Sequence, residues 1–227
     1  MIPNIQQQYD IGASAQFARN RVLRNTYGLL ALSMLPTILG AVVGMTLALP
    51  LIASGIGFLV LFLAMFGLIF AIEKYKNSGT GVLLLLGFTF VMGMLLAPLL
   101  TYTLHFRNGA QLIMLAFGGT AAVFATMASI ATVSKRDFSS MGKWLFAGVI
   151  VLLLAGIANI FLQLPALTIV MSAVTILIFS AYILYDVQQV VNGGETNYVT
   201  ATLQIYLDIY NIFTALLRLL GIVGGDD

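Results

Sequence analysis

Asp186 and Asp208 are carboxylates set in stretches that otherwise read as membrane-spanning helix. The first stands in Tyr182-Ile183-Leu184-Tyr185-Asp186, near the close of an apolar run from Ala166 to Val190. The second stands in Tyr206-Leu207-Asp208-Ile209-Tyr210-Asn211, inside a run from Tyr198 to Gly221. A carboxylate in hydrocarbon is costly unless protonated, paired or wetted, so an intramembrane acid marks a functional site by default. Two such acids on consecutive helices can share one proton or hold one cation. With one proton between them, an O–H···O⁻ bond staples the two helices together; losing it at higher pH leaves like-charge repulsion. The doubly ionised pair offers oxygen to a hard cation such as Ca²⁺, weakly and transiently. Two carboxylates are only part of its usual six to eight ligands, and Asn211, Gln204, backbone carbonyls or water must supply the rest.

Composition sets the class of protein that carries these acids. The chain has 227 residues, 60% hydrophobic and 8% charged, against roughly 25% charged in a soluble domain. There is no cysteine, which excludes disulfides, thiolate nucleophiles and thiolate metal sites. His105 is the only histidine, which removes His-rich metal sites and argues against a Ser-His mechanism. No cofactor and no nucleic-acid partner is expected; the lipid bilayer is.

Seven apolar segments approach the roughly 20 residues that span about 30 Å of hydrocarbon. They are Thr26–Leu49, Leu51–Ile72, Thr80–Thr103, Gly109–Ser134, Trp144–Leu162, Ala166–Val190 and Tyr198–Gly221. Pro50 alone divides the first two, and Gln163-Leu164-Pro165 and Asn192-Gly193-Gly194-Glu195-Thr196-Asn197 divide the later pairs. The expectation is an all-α integral membrane protein, a seven-helix bundle forming one domain over residues 25–227, preceded by a cytoplasmic tail over residues 1–24. The first segment is too long for a cleaved signal peptide.

Charge sets the orientation. Arg19, Arg21, Arg24, Lys74, Lys76, Lys135, Arg136 and Lys143 fall on one side of the alternating spans, and only Arg107 and Arg218 on the other. That bias puts the N-terminus in the cytoplasm and the C-terminal Gly-Gly-Asp-Asp outside. Asp186 and Asp208 then both belong to the cytoplasmic half. Their depths differ: Asp186 lies about 6 Å from the inner end of its segment and Asp208 about 15 Å from the inner end of its own. Contact requires the seventh span to start nearer Ala201, or the connecting loop to rise out of the bilayer, and the sequence allows either.

Thr200, Gln204, Asp208, Asn211 and Ala215 share one helical face of the seventh span, and Tyr182, Asp186 and Gln189 match them on the sixth. Such a stripe should face the bundle interior or a water-filled path. Gly118, Gly119, Ala122, Gly148 and Gly156 are candidates for close helix packing. The plainer alternatives are an Asp186 solvated among headgroups and an Asp208 that merely hydrogen-bonds Asn211 or a tyrosine.

Tyr182–Asp186, Tyr206–Phe213 and Leu216-Leu217-Arg218-Leu219-Leu220-Gly221 together closely resemble the C-terminal signature of the Bax inhibitor-1 (transmembrane Bax inhibitor motif) family. Val22–Tyr27, Gly118-Gly119-Thr120-Ala121, Ile157–Pro165 and Gly193–Tyr198 resemble its bacterial YccA-type branch. The resemblance covers essentially the whole chain. It implies a bacterial inner-membrane protein with a central seventh helix surrounded by the other six. It also implies that Asp186 and Asp208 match a pH-sensing di-aspartyl pair gating a calcium leak, and that the membrane protease FtsH is a partner. Some leak members latch the first aspartate with an arginine at the inner end of the second helix; here Glu73-Lys74-Tyr75-Lys76 offers only Lys74 and Lys76, which lack a bidentate fork.

Three function classes follow: a regulator of FtsH, a pH-gated passive path for Ca²⁺ or another cation, and an intramembrane aspartyl protease. The last is disfavoured, because Ile205-Tyr206-Leu207 stands where such enzymes carry Gly-x-Gly before the second aspartate. The expectation is therefore a protein that is not an enzyme.

Overall fold

The computed structural model describes residues 5–225. Among them every regular element is helical: α1 (Ile5–Val43), α2 (Leu49–Ala53), α3 (Gly55–Tyr75), α4 (Gly79–Leu104), α5 (Gly109–Val133), α6 (Met141–Leu162), α7 (Pro165–Asn192) and α8 (Tyr198–Gly224). Seven stretches are long and apolar enough to cross a membrane: Gln16–Ala48 and the helices α3 to α8. The chain is a multi-pass, all-α membrane protein, as its apolar runs require. The segment expected as a separate tail runs into the first span as one helix from Ile5, while residues 1–4, like Asp226 and Asp227, lie outside the described residues.

The first two spans are not divided at Pro50. The chain stays helical past Val43 through a wider π-type stretch, Gly44–Ala48, and then through α2, with Pro50 in its first turn. An interior proline forfeits one helical hydrogen bond and crowds the carbonyl of the preceding turn, and the wider stretch immediately before Pro50 gives that carbonyl room. The break comes at Ser54, in extended backbone, whose hydroxyl accepts from the Gly57 N–H at 3.1 Å and caps α3.

α8 is the centre of the bundle, packed against α1, α3, α4, α5 and α7; α6 is the exception and rests on α7 alone. The apolar faces of α8 supply fully buried Val199, Ile205, Ile212 and Leu217. Its tyrosines tie it to its neighbours. The Tyr206 and Thr37 hydroxyls are hydrogen-bonded at 2.8 Å, and the Tyr210 hydroxyl donates to Met92 O at 3.2 Å. In a bilayer such interhelical bonds contribute about 0.6 kcal/mol each, at most about 1.7, so tight packing must carry most of the cohesion. The closest approach joins α1 to α4. A Cβ on Gly40 would run into Phe90 O, and one on Gly93 into Thr37 O. Of the glycines expected to permit close contact, Gly119 faces Leu216 and Gly148 faces Ile178, whereas Gly118 and Gly156 have nothing within 4 Å.

The connections gather at two ends. At one end Asn197 Nδ2 donates to Asn77 Oδ1 at 2.8 Å and to Lys76 O at 3.2 Å. There too Gln188 clamps the α5–α6 loop, its Oε1 accepting from Phe138 N and its Nε2 donating to Arg136 O, both at 2.6 Å. Gly193 closes α7 with φ of 81°, a left-handed cap suited to glycine, beside the Arg19 side chain. At the opposite end Asn108 Nδ2 reaches Gly224 O at 2.6 Å. The loops rich in Lys and Arg thus share one end of the bundle.

Candidate functional site

Asp186 and Asp208 are 7% and 3% exposed, and their carboxyls come within side-chain hydrogen-bonding range of each other at the α7–α8 interface. Oδ2 of Asp208 is buried and meets no hydrogen-bond donor. Carboxylates only accept, so a hydrogen bond between them requires a shared proton. No cation offsets them: among the described residues the ion pair is Lys76 with Glu73. Tyr182, one turn before Asp186, sits close enough to feel both carboxyl charges, and Glu195 of the α7–α8 loop adds a further negative charge near Asp186.

The two depths are reconciled by an axial offset. Asp186 lies six residues before the end of α7 and Asp208 ten residues after the start of α8. At 1.5 Å per residue these spacings are about 9 and 15 Å, so α8 begins about 6 Å beyond the end of α7. The loop climbs that difference. Asn197 holds its top, accepting from the N–H groups of Val199 and Thr200 while donating to the α3–α4 connection. A small αL turn at Gly193 lets the chain leave α7 immediately, so no extra residues separate the acids.

The other candidate residues are not gathered at the pair. Asn211 donates to Leu207 O at 2.8 Å within its own helix. Gln204 is exposed. Lys76 is taken by Glu73, whose contact raises the lysine above its ordinary range, and Lys74 lies over the Tyr75 ring at 5.4 Å from its centroid. Neither lysine is ion-paired with Asp186. Among the described residues no three His, Asp or Glu side chains gather as a metal-binding group. The donor set at the pair therefore suits a shared proton, and a cation passing it finds two carboxyls with little protein oxygen beyond them. Gln189 shares the Asp186 stripe in sequence, yet it is Gln188 that is 3% exposed and holds the loop, while Gln189 reaches only Ser139 Oγ at 3.4 Å. The signal was there in a second amide placed two residues after the acid, in a helix with few polar groups.

The two buried acids lie on the last two helices of a seven-span bundle. The family model described as inhibitor of apoptosis-promoting Bax1 matches residues 19–225. The chain belongs to the Bax inhibitor-1 family. Within that family it is 40% identical over 207 residues to the Escherichia coli K12 protein named modulator of FtsH protease YccA, covering 91% of this chain and 92% of that one. The same degree of identity holds for a protein of another Escherichia coli strain, named inner membrane protein YccA. A Pseudomonas aeruginosa protein is 37% identical over 224 residues, covering 98% of this chain and 99% of its own.

Proposed function

We propose that this chain is an inner-membrane modulator of the membrane protease FtsH, and that the Asp186–Asp208 pair sets its conformation according to protonation. The observation that carries the partner is the similarity along nearly the whole chain to a protein named as an FtsH modulator. The observation that suggests how it is controlled is the contact between the two buried acids. Protonated once, the pair holds α7 on α8; fully ionised, it pushes them apart. Gln188 stands two residues after Asp186 and holds the α5–α6 loop by two hydrogen bonds. A shift of α7 is therefore passed to a loop carrying Lys135 and Arg136, on the end that the charge bias assigns to the cytoplasm. That end, with the N-terminal segment over residues 1–24, is the surface offered to a cytoplasmic protease. No catalytic role is assigned to either aspartate.

Co-purification with FtsH from native membranes tests this reading. The wild-type chain should be recovered with the protease, and its lifetime should increase when about the first ten residues are removed. Absence of FtsH from the wild-type complex overturns it.

The second reading is a passive, pH-gated path for Ca²⁺ or another cation, favoured by two buried carboxyls that no cation neutralises. It ranks second because Arg218, without an ion pair among the described residues, lines a cavity on the far side of the pair and opposes cation entry there. Flux through purified protein in liposomes across pH decides it. Ca²⁺ passage that Asp208→Asn abolishes supports a leak; flux no greater than that of protein-free vesicles removes it.

A further inference from the structure

α6 touches only α7, so α4 and α6 stand apart over the C-terminal half of α8. The space between them is a cavity of about 260 Å³. Leu95 and Leu99 of α4 and Leu152 of α6 form its sides, whereas α7 and α8 line it with Ser172, Thr175, Asn211, Thr214 and Arg218. A polar lining in a gap between spans is unfavourable against acyl chains alone, and the chemistry of the lining says what would satisfy it.

The lining is rich in donors and holds no carboxylate. Arg218 is exposed and has no acid partner among the described residues. Ser172 is 5% exposed, lines the cavity, and makes no hydrogen bond; Thr175, one turn on, makes none either. Ser180 of the same helix and Thr202 and Thr214 of α8 are satisfied by backbone carbonyls of their own helices, Ser180 by Ile176 O at 2.6 Å, whereas Thr200, away from this space, is buried without a partner. Two unused hydroxyls and a free guanidinium around one space form a site for an oxyanion, and a guanidinium fork matches phosphate in particular.

Depth identifies the source. Arg218 lies six residues, or about 9 Å, before the end of α8. A helix of 27 residues is about 40 Å long against about 30 Å of hydrocarbon, so its end projects about 5 Å and the Arg218 backbone lies about 4 Å inside the apolar edge. From there its side chain reaches the phosphate layer. The cavity is smaller than the roughly 300–1,000 Å³ of sites that enclose a whole drug-sized ligand, so it suits a headgroup whose chains stay in the bilayer.

We propose that this cavity is a lateral site for a phospholipid, with the lipid phosphate on Arg218, Ser172 and Thr175 and an acyl chain along Leu95, Leu99 and Leu152. This is independent of the protease reading. The test is native mass spectrometry of delipidated full-length protein titrated with dioleoyl phosphatidylglycerol, with dioleoylglycerol (the same chains without phosphate), and with inorganic phosphate. Phosphatidylglycerol should be retained, dioleoylglycerol should not, and inorganic phosphate should not displace the lipid. Arg218→Gln should weaken retention roughly tenfold, the loss expected for a charged hydrogen bond, with Arg218→Lys intermediate. Should Arg218→Gln misfold, the Ser172→Ala/Thr175→Val double variant, checked for a wild-type melt, carries the test with a smaller loss. Equal retention of dioleoylglycerol, displacement by inorganic phosphate, or wild-type retention in the folded variants overturns the proposal.

Discussion

Asp186 and Asp208 meet although one lies six residues from the end of its helix and the other ten residues into the next. The contact exists because α8 starts beyond the end of α7, with Asn197 fixed to the α3–α4 connection. Any change that slides α8 along α7 by one turn, about 5.4 Å, separates the acids. The pair therefore reports the axial register of the two helices, and its protonation can alter that register in return.

Asp186→Asn and Asp208→Asn should each flatten the pH dependence of thermal stability. For the wild type in detergent, the contact that needs a proton is present at low pH and lost as pH rises, so the melting temperature should fall on the alkaline side. Each single variant removes one charge and with it the repulsion. The double variant should be no worse than either single, because the acids act as one unit. Single variants that trace the wild-type melting curve at every pH would show that the two acids titrate independently of the fold.

Placing a side chain on Gly40 or Gly93 should loosen the bundle more than the same change at Gly67, which has nothing within 4 Å of a built Cβ. Gly93→Val should cost about 1–3 kcal/mol or more, since the neighbour that must move is backbone. Chemical unfolding in mixed micelles measures it. Equal losses at Gly67 and Gly93 would mean that α1 and α4 are not packed backbone to backbone.

Gln188→Leu should free the α5–α6 loop. It leaves the Phe138 N–H and the Arg136 carbonyl without their side-chain partners, at a cost of about 1–3 kcal/mol. Hydrogen exchange should accelerate at Phe138 and leave the middle of α8 unchanged. Protection at Phe138 equal to wild type would assign the loop another anchor.

Asp137 gives the same loop a separate response to acid. The Ser139 N–H donates to its Oδ1 at 2.9 Å, and the bonds from Ser139 hold this carboxyl below its ordinary range. A depressed carboxyl contributes order above its unfolded range and loses it as pH falls through the folded one. Exchange at Ser139 should therefore rise below the usual carboxylate range in the wild type and be constant in Asp137→Asn. It should leave cation flux and the Asp186–Asp208 response untouched.

A reporter fused after Asp227 should be active only in a form that works outside the cytoplasm, and one placed near Asp137 only in a form that works inside. The motive is the concentration of Lys and Arg in loops that share one end of the bundle. With no cysteine in the chain, single cysteines at these positions give an independent labelling test. A cytoplasmic C-terminus would reverse the assignment of the aspartates to the inner half.

The seven spans, and the placing of Asp186 and Asp208 within two of them, were legible in the sequence, because the cost of a polar group in hydrocarbon depends on a residue and its immediate neighbours. Most span ends agree within about three residues for that reason; the first departs, since helix continues outward to Gln16 and beyond apolar sequence. What lay beyond local reading was the rotation and sliding of each helix against the others. That decided that Asn211 turns to Leu207 while Gln188 holds a loop, that Gly40 and Gly93 and not Gly118 or Gly156 form the tight contact, and that Arg218 shares a cavity with Ser172. It also decided that two acids at unequal distances from their helix ends come together. Axial offset belongs to no single helix; it is fixed by packing among α1, α3, α4, α5, α7 and α8, and only the assembled bundle contains it.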